Sequence, residues 1–233
     1  MNAITDHLHT SRYISEIDRY AAELGLRLEL CRDFREFREI RNTMTDRSPM
    51  SPIFDPAVTD VGPGNGFWIK GTNHEGKIMH LQATRRSDLV DVNLADHLFE
   101  LRRLYRLPGL NMETDVQRDS YSAPALQRIS GNVCYHGEIW LDESLRGKGL
   151  SAVLPRLLLA LVLVKWAPDY IFGFVPTKLA YRGVQAQYGY MHVEPGGILG
   201  QSPTANAPIN KWLVWLSRQD LVHLMRFAPG LEF

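Results

Sequence analysis

A chain of 233 residues that is 45% hydrophobic and 22% charged is long enough for one substantial core and too ordinary in composition to be disordered or fibrous. Lys+Arg and Asp+Glu both number 26 and the pI is about 7.1, so no basic field marks a nucleic acid or an anionic bilayer as a partner. Cys31 and Cys134 stand alone, the opening residues mix charges with single apolar residues, and no apolar run is long enough to span a bilayer, which together give a cytoplasmic protein as the expectation.

Ile14, Ile17, Ala21 and Leu24 recur at helical spacing before Gly25, so the spacing predicts a helix over about 11–24. The strand LRLELC follows. Asp33 stands three residues before Glu36, a capping-box spacing, and Phe34, Phe37, Ile40 and Met44 give a second helix its apolar stripe. Residues 48–66, with four prolines and three glycines, read as a loop or very short helical turns able to cover a site. FWIKGT and KIMHLQATRR flank NHEG as an antiparallel hairpin. A helix over 94–107 then lies within an apparent insertion at 88–123.

NVCYHGEIWL alternates as a strand, with Val133, Tyr135, Ile139 and Leu141 on one side and His136, Glu138 and Trp140 on the other. A helix of about 18 residues starts at Gly149, and the nearly all-apolar YIFGFV after it suggests a parallel crossover into a central strand. A helix near 177–188, the strand YMHVEP, a loop over 196–208, the strand NKWLVWL and a short helix capped by Ser217 and Asp220 complete the chain. The sum is one α/β domain of mixed α+β character over 1–233, with its N-terminal helix at 1–25 and one late β-α-β crossover.

The residues that carry chemistry are Arg146-Gly147-Lys148-Gly149-Leu150-Ser151, between a strand and a strongly apolar helix. Glycines there let the backbone approach a ligand, and the free amides and dipole of the helix N-terminus suit an anion such as a pyrophosphate. Neither GxxxxGK[ST] nor GxGxxG is present. His7-Leu8-His9 has no third ligand nearby, so no metal is expected.

The six-residue motif resembles the acyl-CoA loop of the GCN5-related N-acetyltransferase (GNAT) superfamily: Gln or Arg, two residues, Gly, one residue, then Gly or Ala, with Ser151 a mild departure at the end. The resemblance covers residues 131–217 well and 26–85 more loosely. It implies a GNAT-like mixed, mostly antiparallel sheet flanked by helices, in which the strand ending at Leu141 splays from YIFGFV and admits the pantetheine arm of acetyl-CoA or another acyl-CoA. Residues Arg146, Gly147, Lys148, Gly149, Leu150 and Ser151 are implied to bind the cofactor, with the amides from about Lys148 to Ser151 holding the pyrophosphate. The backbone of Ile139, Trp140 and Leu141 is implied to pair with pantetheine and polarise the thioester carbonyl. The family's usual leaving-thiolate acid, a Tyr four residues before a Gly-aromatic pair, is replaced here by Gln185, which leaves Tyr181 and Tyr188 as candidates or as packing residues.

An amine nucleophile also has to lose a proton, and His136 and Glu138 are the candidate bases on the strand leading to the loop. Their alternative is structural, His136 hydrogen-bonded and Glu138 paired beneath a helix. The implied activity is acyl transfer to a small-molecule or peptide amine, by a protein compatible with a homodimer and without nucleic-acid or membrane partners. Two other readings stay open: a long-chain N-acyltransferase fed by acyl carrier protein, with the 48–63 segment lining an acyl pocket, and a CoA-binding sensor without catalysis.

Overall fold

The computed structural model describes residues 3–104, 121–201 and 208–227; most of the expected insertion, 105–120, lies outside them. Helix α1 (Ala3–Glu23) begins well before residue 11 and ends where Gly25, at φ +76°, reverses the chain into β1 (Arg27–Cys31). The carboxylate of Asp33 accepts from the Arg35 amide at 2.8 Å and starts α2 (Phe34–Thr43). The expected capping box does not close, because the Glu36 carboxylate accepts from the Lys70 ammonium at 2.8 Å instead. The buried stripe of α2 is Phe34, Phe37 and Arg41, so a guanidinium occupies an inward position.

Strands β2 (Gly66–Thr72) and β3 (Ile78–Leu89) form the expected hairpin, its turn closed by Asn73 Oδ1 accepting from the amides of Glu75 and Lys77. Residues 88 and 89, expected in the insertion, instead continue β3 and pair with Asn132 and Gly131. Helix α3 (Leu94–Leu104) buries Leu94 and Leu98. Strand β4 (Gly131–Leu141), helix α4 (Leu150–Trp166) and strand β5 (Tyr170–Pro176) are the expected parallel crossover, with α4 apolar around most of its circumference because it is covered on most sides.

The helix expected over 177–188 is broken into α5 (Thr177–Ala180) and α6 (Val184–Gln187) by Gly183 at φ +72°. Strands β6 (His192–Gln201) and β7 (Pro208–Ser217) pair antiparallel. The Gly/Pro-rich run from 196, expected as loop, is strand as far as 201 because a bulge between Glu194 and Ile198 absorbs the irregular residues. Ser217 and Asp220 form the expected box that starts α7 (Arg218–Arg226).

The seven strands among the described residues make one sheet in the order β1-β2-β3-β4-β5-β7-β6, antiparallel except for β4 with β5. Helices α1, α4 and α7 cover one face around the main core, while α2, α3 and the turns at Pro52–Phe54 and Pro124–Gln127 cover the other around two smaller cores. This is the architecture that the loop's resemblance implied.

Candidate functional site

β4 and β5 are paired only at Val133–Tyr135 against Tyr170–Phe172. Each then stays laddered to its outer neighbour, β4 to β3 as far as Leu141 and β5 to β7 as far as Pro176, so the two inner edges face an unpaired gap. Gly173 sits at the fork, where an added Cβ would stand 3.0 Å from the His136 carbonyl oxygen, so a side chain here would press the two backbones apart by a few tenths of an ångström.

The gap leads to the turn between β4 and α4. Asp142 caps the short helical turn Glu143–Leu145, and the chain then passes Gly147 at φ +77° and Gly149 at φ +72°, the latter being the N-cap of α4. The amides of Gly147, Lys148, Gly149, Leu150 and Ser151 donate to no backbone or side-chain acceptor among the described residues. Two of them are orphan donors of the helix's first turn, at the positive end of its dipole. The Tyr20 hydroxyl, on α1, donates to the Lys148 carbonyl at 2.7 Å and fixes the turn from outside. The result is a run of free N–H groups at a helix N-terminus, chemistry suited to a phosphate anion.

Midway along β4 the ladder with β3 slips, with Leu81 opposite Trp140 and Ala83 opposite Gly137, and Glu138 takes φ +57°. A positive φ is uncommon outside glycine, and the bulge it belongs to adds one residue and inverts the side-chain alternation beyond it. The expectation that His136 and Glu138 share a face is therefore overturned.

His136 points towards α4. Gln82 spends its NH2 on the Leu154 carbonyl at 2.7 Å, so its Oε1 accepts from His136 Nε2 at 3.1 Å, and His136 Nδ1 accepts from the Tyr190 hydroxyl at 3.0 Å. Glu138 points to the other side, where its carboxylate accepts from Arg41 Nε at 2.6 Å and from the Ser51 amide at 2.7 Å, with Arg47 Nη2 at 3.6 Å. Both residues are thus committed to the protein in the arrangement of their structural alternative. Ile139, Trp140 and Leu141, half-buried, continue along the gap from the bulge, and the Trp140 carbonyl accepts from His80 Nδ1 at 2.7 Å.

Burial pulls His136 down to about 3 and His80 down to about 4, so both are neutral in the folded protein at neutral pH. The unfolded chain binds protons at these sites from about pH 6.5 downwards, so their contribution to stability is complete above that pH and is lost as pH falls through the folded values. Melting temperatures measured by calorimetry should therefore decline progressively from pH 6.5 to 4, and His136→Asn should flatten part of the decline. An unchanged slope in that variant would contradict the neutral, locked imidazole.

The two candidate tyrosines are not brought to the fork. Tyr181 is 77% exposed and rests edge-on against Trp212 of β7 with centroids 5.4 Å apart; the break at Gly183 removes the helical face it was expected to share with Gln185. Tyr188 packs half-buried against the α4-side core, and burial raises its pKa. The Gln185 Oε1 is buried without a partner among the described residues. On the α4 side of the fork stands Tyr190, with its hydroxyl 3.4 Å from where a Gly173 Cβ would lie. Sequence reading also passed over the Arg41–Glu138 pair, although a charged residue on the apolar stripe of α2 was its visible sign.

Among the described residues, no three His, Cys, Asp or Glu side chains assemble as a metal site, and no helix is long and apolar enough to cross a membrane.

No protein-family model and no curated protein sequence matches the chain. Among solved structures, it is similar to NAA60 of Arabidopsis thaliana in complex with acetyl-CoA, with 10% identity and a TM-score of 0.49 over 82% of this chain and 98% of that one. It is also similar to a chimera of Vibrio cholerae spermidine N-acetyltransferase SpeG and hSSAT, with 10% identity and a TM-score of 0.47 over 85% and 98%. A third similar structure is FeeM, an N-acyl amino acid synthase from uncultured soil microbes, with 13% identity and a TM-score of 0.45 over 84% and 93%.

Proposed function

We propose that this chain is an acyl-CoA-dependent N-acyltransferase, with acetyl-CoA as its simplest donor and a small-molecule or peptide amine as acceptor. The observation that carries the reading is the unpaired gap between β4 and β5 opening onto the free amides of residues 147–151. The pyrophosphate of CoA takes those amides, and pantetheine lies along strand edges whose groups have no ladder partner across the gap, as an added strand does. The thioester then reaches the bulge at Glu138, where the backbone leading to Ile139 departs from the ladder and polarises the carbonyl oxygen.

The amine nitrogen attacks the carbonyl carbon, the C–S bond breaks, the nitrogen gives up a proton and the departing thiolate takes one. A thiolate with a pKa near 8.5 is a tolerable leaving group, so turnover does not require a tyrosine at position 185. Positioning of the two reactants supplies the main acceleration, without a covalent enzyme intermediate.

A second reading is favoured by one set of observations: Gln185 at the usual tyrosine position, with His136 and Glu138 both committed, describes equally a CoA-binding sensor. Thermal melting with and without acetyl-CoA tests what the two readings share. Ligand at 100 times its Kd should add about 2.7 kcal/mol to the stability of the folded state. No shift at millimolar CoA would remove both readings. Free-thiol release with a panel of amines then separates them, since only the enzyme releases CoA.

A further inference from the structure

Beyond the fork, on the sheet face opposite α4, charged side chains stand on both banks of the gap. On one bank Glu138 lies three residues past Tyr135, the last paired residue of β4. On the other, Lys211 of β7 pairs with Pro176, four residues past Phe172, the last paired residue of β5. Lys211 also stands opposite Ile198 of β6, which packs against the core beneath α3, so the lysine shares the face to which Glu138 points. One strand spacing, about 4.8 Å, separates its backbone from β5, and its side chain is long enough to span that.

The cations here outnumber the carboxylates left to meet them. Glu138 is spent on Arg41 Nε at 2.6 Å and on the Ser51 amide at 2.7 Å. Arg47 lies 5.9 Å from the centroid of the Trp140 ring, its Nη1 meets Met44 Sδ at 3.7 Å, and its Nη2 stays 3.6 Å from Glu138, so it has no oxygen acceptor at hydrogen-bond distance among the described residues; the exposed Asp46 is the other acid beside it. Half-buried Lys211 has no acceptor among the described residues, and Glu194, the one acid of β6, is spent on the Ala125 amide and Arg128. Burial lowers the Lys211 pKa and the Glu138 charge opposes that shift, which places the two within electrostatic reach across the gap. A half-buried ammonium without a counter-charge has lost water without replacing it, and a carboxylate on the acceptor would restore the balance, whereas a second ammonium would meet like charge on both banks.

We infer that the acceptor is a free amino acid, an amine whose own carboxylate lies one or two carbons from the reacting nitrogen, and that Lys211 holds that carboxylate while the nitrogen faces the thioester. This narrows the acyl-transfer reading and rests on it. The amine sits at the gap and the ammonium one strand beyond it, a separation that one or two carbons bridge. The N-terminus of a peptide has an amide where that carboxylate would be, and a polyamine brings the wrong charge.

Calorimetric titration of the CoA-saturated, full-length protein tests this with pairs that differ in charge and hardly in shape: L-leucine and L-leucinamide, L-phenylalanine and L-phenylalaninamide, β-alanine and β-alaninamide. At least one acid should bind about tenfold or more tightly than its amide, and spermidine should bind no better than the amides. Lys211→Gln should bring the ratio to near one, while Lys211→Arg, which keeps the charge, should preserve most of it, a contrast that damage to β7 would not produce. No preference in any pair, in a protein that binds CoA, would overturn the assignment and leave the acyl-transfer reading intact. Spermidine binding more tightly than every acid, or a preference that survives Lys211→Gln, would also overturn it. Failure to bind CoA at all would instead remove the reading underneath.

Discussion

Gly149→Val should leave the folded protein without a response to acetyl-CoA. At φ +72° a left-handed backbone costs an L-residue about 1–2 kcal/mol, and a β-branched side chain stiffens the objection. The chain escapes by abandoning that conformation. Because the Gly149 carbonyl accepts from the amides of Ala152 and Val153, the escape also displaces the start of α4 and with it the free amides of Leu150 and Ser151. Two lost charge-assisted hydrogen bonds to a pyrophosphate, at about 1.5–3 kcal/mol each, correspond to a Kd weakened by about 10²-fold or more. Calorimetric titration measures that directly, and the variant's own melting curve shows that it is folded. Wild-type affinity in Gly149→Val would mean that the phosphates bind elsewhere.

The second large effect concerns Glu138. Its carboxylate faces two guanidinium groups, from Arg41 and Arg47, whose side chains are 1% and 14% exposed. Burial and the neighbouring Arg41 already pull Arg47 down to about 10. Glu138→Gln keeps the shape and an acceptor for the Ser51 amide but leaves Arg41 without its buried carboxylate and Arg47 with Asp46 as its remaining counter-charge, which should destabilise the protein by about 3 kcal/mol. For a chain of this length that is a fall of roughly 6–12 °C in Tm. The same substitution loosens the bulge, so on the proposed acyl-transfer reading kcat should fall by a similar factor at every pH. A general base would behave differently, with loss greatest near neutral pH and smaller where the amine deprotonates itself. An unchanged Tm with that pH-dependent loss would restore Glu138 as the base.

Burial explains which parts were legible in the sequence. The stripe of α2, the β2–β3 hairpin, the alternation at the start of β4 and the apolar runs of α4 and β5 all follow from which faces lose water, and periodicity reports that directly. The turn proposed to take the phosphates was legible for a different reason, since its candidate donors are backbone amides and its signature is the glycines that a strand-to-helix turn needs. The bulge left no such mark, because Glu138 is neither glycine nor asparagine, and one extra residue is enough to move a carboxylate from the side of His136 to the side of Arg41. The break at Gly183 was foreshadowed by the glycine alone. Contacts such as Tyr20 to Lys148, 128 residues apart in the chain, have no local pattern to read.

The short seam at the fork also decides how the molecule opens. The strands on the β4 side are tied to one another by long ladders, as are β5, β7 and β6, whereas between β4 and β5 the ladder is three residue pairs long, supplemented by hydrogen bonds such as Asn132–Asp169 and His136–Tyr190 and by the helices packed across the seam. Spontaneous opening follows the least-connected line, so the halves are the natural units of local unfolding. A molecule bonded to both inner edges would suture that line, and its occupancy would stiffen strands that it never touches.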